Sequence, residues 1–281
     1  MSRLAFRYTE YKPCPLLRPF IHCYGLFASV PPSGDNGRPA AAEQGFAVGD
    51  PLADHLIPSG YVMLFFNLGD PLGVEDDSGR EILPGRSHVL GALTRPGKFI
   101  FGRRVELLGV MFRAGHAAAF LDVPAHEMTD RFTALSDLWG AEAQALEDDL
   151  RGLPTTARRI QRLELALVER LARVRPPDPR FVSLADFVMR RQGAVSVEGL
   201  SAASGLSRQH LGRKFQDIVG VSPKLFCRLV RFQAMLNQVV TRPSLDWAAL
   251  AAEQGYYDQA HLIAEFKEFT SFTPSEFLAA R

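Results

Sequence analysis

Apolar positions along the chain change their period near residue 115. Up to about residue 113 they fall in short runs, Phe20–Phe27, Tyr61–Phe66, His88–Leu90, Lys98–Phe101 and Leu107–Phe112, divided by Gly, Pro, Asp and Ser. Such runs predict strands, and many in succession predict a sandwich or small barrel. The stretch from Pro31 to Gly49, rich in Pro, Gly and Ala, reads as a mobile loop. From His116 onward the period is helical, predicting helices over Ala117–Leu121, Leu135–Leu150 and Ala157–Val174. In the last of these Ile160, Leu163, Leu167, Leu171 and Val174 recur at spacings of 3, 4, 4 and 3. This narrow seam suits pairing with an equal helix, or packing within its own domain. Arg175-Pro-Pro-Asp-Pro179 then stops the helix and makes a stiff linker.

From about Ser196 one pattern is written twice. Leu200, Gly205, Leu211, Phe215 and Pro223 reappear as Leu250, Gly255, Leu262, Phe266 and Pro274. Only the turn differs, with one extra residue in the second copy. Leu200 and Ala203, then Leu211, Phe215 and Ile218, have helical spacing, and the Gly between them permits a tight turn with positive φ. Ser207 and Asp258 stand where the N-cap of each second helix belongs. Pro223 and Pro274 fit the first turn of a following helix, and Thr273-Pro-Ser-Glu276 has capping-box spacing. Each copy therefore reads as helix, turn, helix, an arrangement whose second helix can enter a DNA major groove.

The two copies, the long helix predicted between them from about Lys224 to Val240, and the run Gly255–Lys267 followed by Thr273-Pro274 resemble the arabinose-regulator (AraC/XylS) family of bacterial transcription factors. The resemblance covers about the last hundred residues. Members often carry Arg where this chain has Ala264, and Gly where it has Ser271. In the first half, Leu56–Pro71, Gly91–Pro96, Leu108–Gly115 and Val123–Arg131 are similar to an uncharacterised domain often found ahead of this type of DNA-binding domain. That family context implies a cupin-like sensory role and brings no ligand with it.

A chain of 281 residues suggests about two domains. Its net charge of +1 says nothing about nucleic acid, but the distribution does. Gly205–Phe232 carries +5, from Arg208, Arg213, Lys214, Lys224, Arg228 and Arg231 against Asp217. Gly255–Ser271 carries −2, from Lys267 against Asp258, Glu265 and Glu268. The first unit is thus the expected electrostatic foothold. Cys14, Cys23 and Cys227 have no zinc spacing and leave one thiol unpaired in any disulfide scheme, which suits a reducing cytoplasm. Neither a signal peptide nor a membrane span is visible.

On the first recognition helix Arg208, Gln209, Gly212, Arg213 and Gln216 lie opposite the apolar positions, with Lys214 beside them. Arg and Gln can pair bidentately with guanine and adenine edges. Family alignment implies Gln209 and Arg213 as the base readers. The matching positions of the second unit are Gln259, Ala260, Ile263 and Ala264, with His261 and Lys267 nearby. Ala and Ile offer a base no hydrogen bond, so Gln259 is the polar candidate there and Lys267 a phosphate or solvent contact. His22, His55, His88, His116 and His126 include no His-x-His pair, so a metal site is not visible. Arg86, Arg95, Lys98, Arg103, Arg104 and Arg113 would suit an anionic ligand if they converged, and are solvated outer-face charges if they alternate along strands. Cys14 and Cys23 are a candidate redox pair or buried apolar residues.

The expectation is a two-domain α+β chain. A β-rich, cupin-like sensor with a helical tail spans 1–155, a dimerisation helix and Pro-rich linker 156–179, and an all-α DNA-binding domain with two helix-turn-helix units 180–281. The long helix should hold the recognition helices about one turn of DNA apart. Expected partners are double-stranded DNA, a small-molecule effector, RNA polymerase and a second copy of the chain; no cofactor and no catalysis are expected. The competing readings are a metal-dependent cupin enzyme fused to a DNA-binding module, and a regulator that answers to a partner protein.

Overall fold

The computed structural model describes residues 5–29, 43–47, 55–76, 78–173, 176–242 and 245–280. The first part is built on strands β1 (Ala5–Tyr11), β2 (Ile21–Ser29), β3 (Glu43–Ala47), β4 (His55–Leu56), β5 (Met63–Asn67) and β6 (Gly73–Glu75). They are followed by β7 (Glu81–Ile82), β8 (Ser87–Leu90), β9 (Gly97–Ile100) and β10 (Glu106–Phe112). After β10 come α1 (Ala117–Leu121), a 3-10 turn (Ala125–Met128), β11 (Phe132–Ala134), α2 (Leu135–Trp139), α3 (Ala141–Gly152) and α4 (Thr156–Leu171). A seven-stranded sheet has the order β11-β8-β5-β10-β2-β1-β3, and a four-stranded sheet the order β4-β9-β6-β7.

Alternation along the central strands gives each face of the large sheet its partner. Tyr24, Leu64, Phe66, Leu108, Val110 and Phe112 point to one side and share a core with α1, α3 and α4. On the other side Met63, Phe65 and Leu90 meet Leu56, Val74 and Phe99 of the small sheet, and Phe6 and Phe27 meet Phe101. The predicted mobile loop is in part a strand: Glu43–Ala47 pairs antiparallel with β1, while residues 31–42 and 48–49 lie outside the described residues. The helix predicted over Leu135–Leu150 is two helices, because Gly140 takes φ 58°, ψ −135°, a conformation open to glycine and not to side-chain-bearing residues. The next helix spans Thr156–Leu171, and Val174 and Arg175 lie outside the described residues.

The apolar seam of α4 faces inward. Ile160, Leu163 and Leu167 are buried in the core formed with the large sheet, α1 and α3, and Leu171 packs against it. Arg159 pairs with Glu106 of β10, and Arg170 donates from Nε to the Phe120 carbonyl at 2.7 Å with its guanidinium 4.4 Å from the Trp139 ring. Of the two uses the sequence allowed for this seam, packing within its own domain is the one observed. Burial of this kind stabilises by roughly 1.5–3 kcal/mol per side chain.

The second part is helical: α5 (Pro179–Arg190), α6 (Val197–Ser204), α7 (Arg208–Val219), α8 (Pro223–Thr241), α9 (Trp247–Glu253), α10 (Gln259–Thr270) and α11 (Pro274–Ala280). Leu200, Leu211, Phe215, Phe226, Phe232, Phe266 and Phe277 form one core along the 19-residue α8, so a single helix carries both units. Ala203 is exposed, so Leu200 alone of the two predicted α6 positions enters that core. This core also reaches into the first part, taking in Ala92 and Ala114.

Candidate nucleic-acid interface

Each recognition helix begins as the sequence requires. Ser207 Oγ accepts from His210 N at 3.3 Å, and Asp258 Oδ1 accepts from His261 N at 2.8 Å. The turns before them pass through Gly205 and Gly255 at φ 66° and 70°, the left-handed region. The capping box closes in both directions, Thr273 N donating to Glu276 Oε2 at 2.7 Å and Glu276 N to Thr273 Oγ1 at 3.3 Å. This holds the Glu276 carboxyl below its usual range. Where α7 ends at Gly220 with φ 102°, α10 ends at Ser271 with φ 66°, so the serine adopts the same left-handed turn and the helix stops at the matching place.

On α7, Leu211, Phe215 and Val219 are buried, whereas Arg208, Gln209, His210, Arg213, Lys214 and Gln216 are exposed and Gly212 is half-buried. Arg208 lies 3.2 Å from Glu198 and Lys214 3.6 Å from Asp217, solvated pairs that a phosphate can displace. Gln209 and Arg213 have no side-chain partner among the described residues and stand free in solvent.

Arg228 and Arg231, counted with the foothold on sequence grounds, do not belong to it. Arg228 Nε lies 2.7 Å from Glu265 Oε2 and its Nη2 2.6 Å from Glu268 Oε2. Arg231 Nη2 is 3.3 Å from Glu265 Oε1, with its guanidinium 4.4 Å from the Tyr256 ring, and Tyr256 OH donates to Glu265 at 2.8 Å. Glu265 is 2% exposed. These groups tie α8 to α10 internally. Without them the first unit keeps +3 and the second is neutral, Lys267 balancing Asp258.

On α10 the outward residues are Gln259, Ala260, His261, Ala264 and Lys267, with Ile263 half-buried. His261 is engaged locally, its Nδ1 accepting from Tyr257 N at 3.4 Å and its ring edge-on to Tyr256. Sequence reasoning passed over Tyr257, which is 91% exposed directly before the Asp258 cap. A large aromatic at a turn position outside the apolar period was the signal for it.

The strand-rich part grips the first unit. Thr129 Oγ1 donates to Gly220 O at 2.7 Å, His126 Nδ1 lies 3.3 Å from Asp217, and Gln233 Nε2 donates to Pro58 O at 2.7 Å. Gly220 is closed in by Thr129, Ala125 and Ala92, so a Cβ there would crowd this joint as well as strain the turn. A cleft of about 440 Å³ separates Thr94, Arg95 and Pro96 from Leu225, Arg228, Glu268 and Ser271.

Between the two sheets His88 is fully buried, with no hydrogen-bond partner for either ring nitrogen among the described residues, and its ring lies 5.4 Å from Phe65 and 5.5 Å from Phe132. Burial pushes its pKa down to about 4. His22 stacks near Tyr61, His55 meets Phe272 edge-on, and His116 meets Phe20. Among the described residues no three His, Cys, Asp or Glu side chains are grouped as a metal site. Arg86, Arg95, Lys98, Arg103, Arg104 and Arg113 are all exposed, with Arg104 bonded to Leu68 O and Glu106 and Arg113 to Arg18 O. Cys14 and Cys23 are free thiols, and burial raises Cys23 to about 11, which keeps it protonated at neutral pH. Among the described residues no helix is long and apolar enough to cross a membrane.

A β-rich domain followed by a helical domain of two helix-turn-helix units on one long helix is consistent with the AraC-type two-helix-turn-helix architecture. Residues 200–280 match a helix-turn-helix domain model, and residues 9–134 match a domain of unknown function, DUF6597. An uncharacterized HTH-type transcriptional regulator of Haemophilus influenzae is 28% identical over 95 residues, covering 34% of this chain; the chain thus spans about a third, 32%, of that relative's length. Among solved structures, the C-terminal domain of AraT, a response regulator from Geobacillus stearothermophilus, aligns at 17% identity and a TM-score of 0.35, over 37% of this chain and 87% of that one. ToxT from Vibrio cholerae bound to an unsaturated fatty acid aligns at 8% identity and a TM-score of 0.47, over 80% of this chain and 95% of that one.

Proposed function

We propose that this chain is a sequence-specific DNA-binding transcription regulator controlled by a small molecule held in its N-terminal part. The observation that carries the DNA-binding reading is the exposed outward face of α7, where Gln209 and Arg213 have no side-chain partner among the described residues above a buried Leu211–Phe215–Val219 stripe. Arg208, Lys214, Gln216 and Lys267 serve as phosphate or flanking contacts, and Gln259 is the polar reader of the second unit. The effector reading rests on the apolar layer between the sheets, which half-buried Met63, Phe65, Phe99 and Phe132 share, with buried His88 against Phe65 and Phe132. Two facing sheets are also what supports a cupin-like description.

The joint at Gly220 gives the effector a route to DNA. A ligand shifts DNA affinity only through its differential affinity for two arrangements, and the two affinities must then change each other by the same factor. With the α4 seam buried, we place any self-association, and any contact with RNA polymerase, on other outer faces of the chain. Sedimentation velocity of the full chain, alone and on DNA, tests the first of these. The central reading is tested by selecting duplexes from a random-sequence pool with the full-length protein: enrichment of a defined motif is expected, and a pool that stays random refutes it.

A further inference from the structure

The two recognition helices align in sequence through Leu211 with Leu262 and Phe215 with Phe266. That correspondence sets Gln209 against Ala260, Gly212 against Ile263, and Arg213 against Ala264. In α7 two of these three positions, Gln209 and Arg213, carry hydrogen-bonding side chains and Gly212 carries none; in α10 all three end in methyl groups. Ala260 and Ala264 are exposed and Ile263 is half-buried between them, all within one helical turn, and Lys267 continues the same face. The acidic balance that spoke against DNA at this unit is offset: Glu265 is buried against Arg228 and Arg231, and exposed Glu268 pairs with Arg228.

Resting on the DNA-binding reading, we infer that α10 reads thymine C5-methyl groups through Ala260, Ile263 and Ala264. Thymine is the one DNA base that offers the major groove an apolar group, and an alanine or isoleucine side chain makes an apolar contact with it. The exposed α7 face selects hydrogen-bonding edges, guanine by Arg213 and adenine by Gln209. The operator would therefore have two unlike halves about one helical turn apart: one purine-defined, one thymine-rich. Gln259 sits at the N-terminal edge of this apolar patch and Lys267 at its far end, where they are placed to fix the helix without altering what its centre selects.

The test uses the full-length protein and duplexes selected from a random pool. Positions relaxed by Arg213→Ala define the half-site of the first unit; the other half belongs to the second. Each thymine of that second half is then replaced by deoxyuracil, which removes only the methyl group. Affinity should fall about fourfold per contacted methyl, the equivalent of burying one such group. Ala260→Gly or Ala264→Gly should shrink this loss, and Arg213→Ala should leave it unchanged. Deoxyuracil without effect at every position, or a second half lacking thymine, overturns the inference and leaves the DNA-binding reading standing. Failure to enrich any sequence overturns both.

Discussion

Replacing Glu265 by leucine should be among the most damaging single changes on the helical domain's surface-facing elements. Its carboxylate is 2% exposed and accepts from Arg228 Nε at 2.7 Å, Arg231 Nη2 at 3.3 Å and Tyr256 OH at 2.8 Å. Glu265→Leu leaves Arg228 its bond to Glu268, but strips Arg231, a 19%-exposed side chain, of its carboxylate. Removing one partner of a buried pair costs about 3–5 kcal/mol, because the uncompensated charge stays behind. Against a total stability of about 5–15 kcal/mol the domain should survive with a much lower denaturation midpoint. The double change Arg231→Met with Glu265→Leu, which removes both charges, should recover most of the loss. Urea denaturation followed by the fluorescence of Trp247, in a Trp139→Phe background, reads the helical domain. A Glu265→Leu cost below about 1 kcal/mol, or no recovery in the double variant, would refute the view that this knot fixes α10 on α8.

Arg213→Ala should weaken specific DNA binding by about 1–3 kcal/mol and Gln259→Ala by less; equal losses in a titration would contradict the ranking. Ser271→Gly should stabilise by about 1 kcal/mol, since φ 66° suits glycine, and unchanged thermal stability would count against that strain. His88 is buried neutral, so the unfolded chain takes up its proton first: the stability it permits is complete above about pH 6.5 and falls as pH drops towards about 4. His88→Leu should therefore flatten the acid limb of a melting profile, which would otherwise decline by up to roughly 1.4 kcal/mol per pH unit; superimposable profiles would rule His88 out as the cause.

The duplicated units were legible because local rules agree there. The Ser207 and Asp258 caps, the positive-φ glycines and the Thr273–Glu276 box each satisfy backbone groups within a few residues, so spacing alone reports them. What could not be read was long-range. The fate of Arg228 and Arg231 depends on Glu265 and Glu268, more than thirty residues away, which a charge count along the chain assigns to opposing sides. Strand β3 was hidden because Glu43–Ala47 follows a Pro- and Gly-rich stretch and acquires its structure from β1. For α4 the periodicity was right and its partner was not determined, since an apolar seam looks the same whether a sheet or a second copy covers it. His88 gave no local sign, because its isolation is made by Phe65 and Phe132 on neighbouring strands.

The account stands most directly on one comparison: the affinity of the full-length protein for its selected duplex against a scrambled duplex of equal length, measured across salt concentrations. Sequence-specific recognition predicts at least roughly a thousandfold preference for the selected duplex. Binding to both should weaken as salt rises, in proportion to the phosphates neutralised. Arg213→Ala should reduce the preference while leaving scrambled-duplex binding nearly as strong. Equal affinity for the two duplexes at every salt concentration would contradict the account.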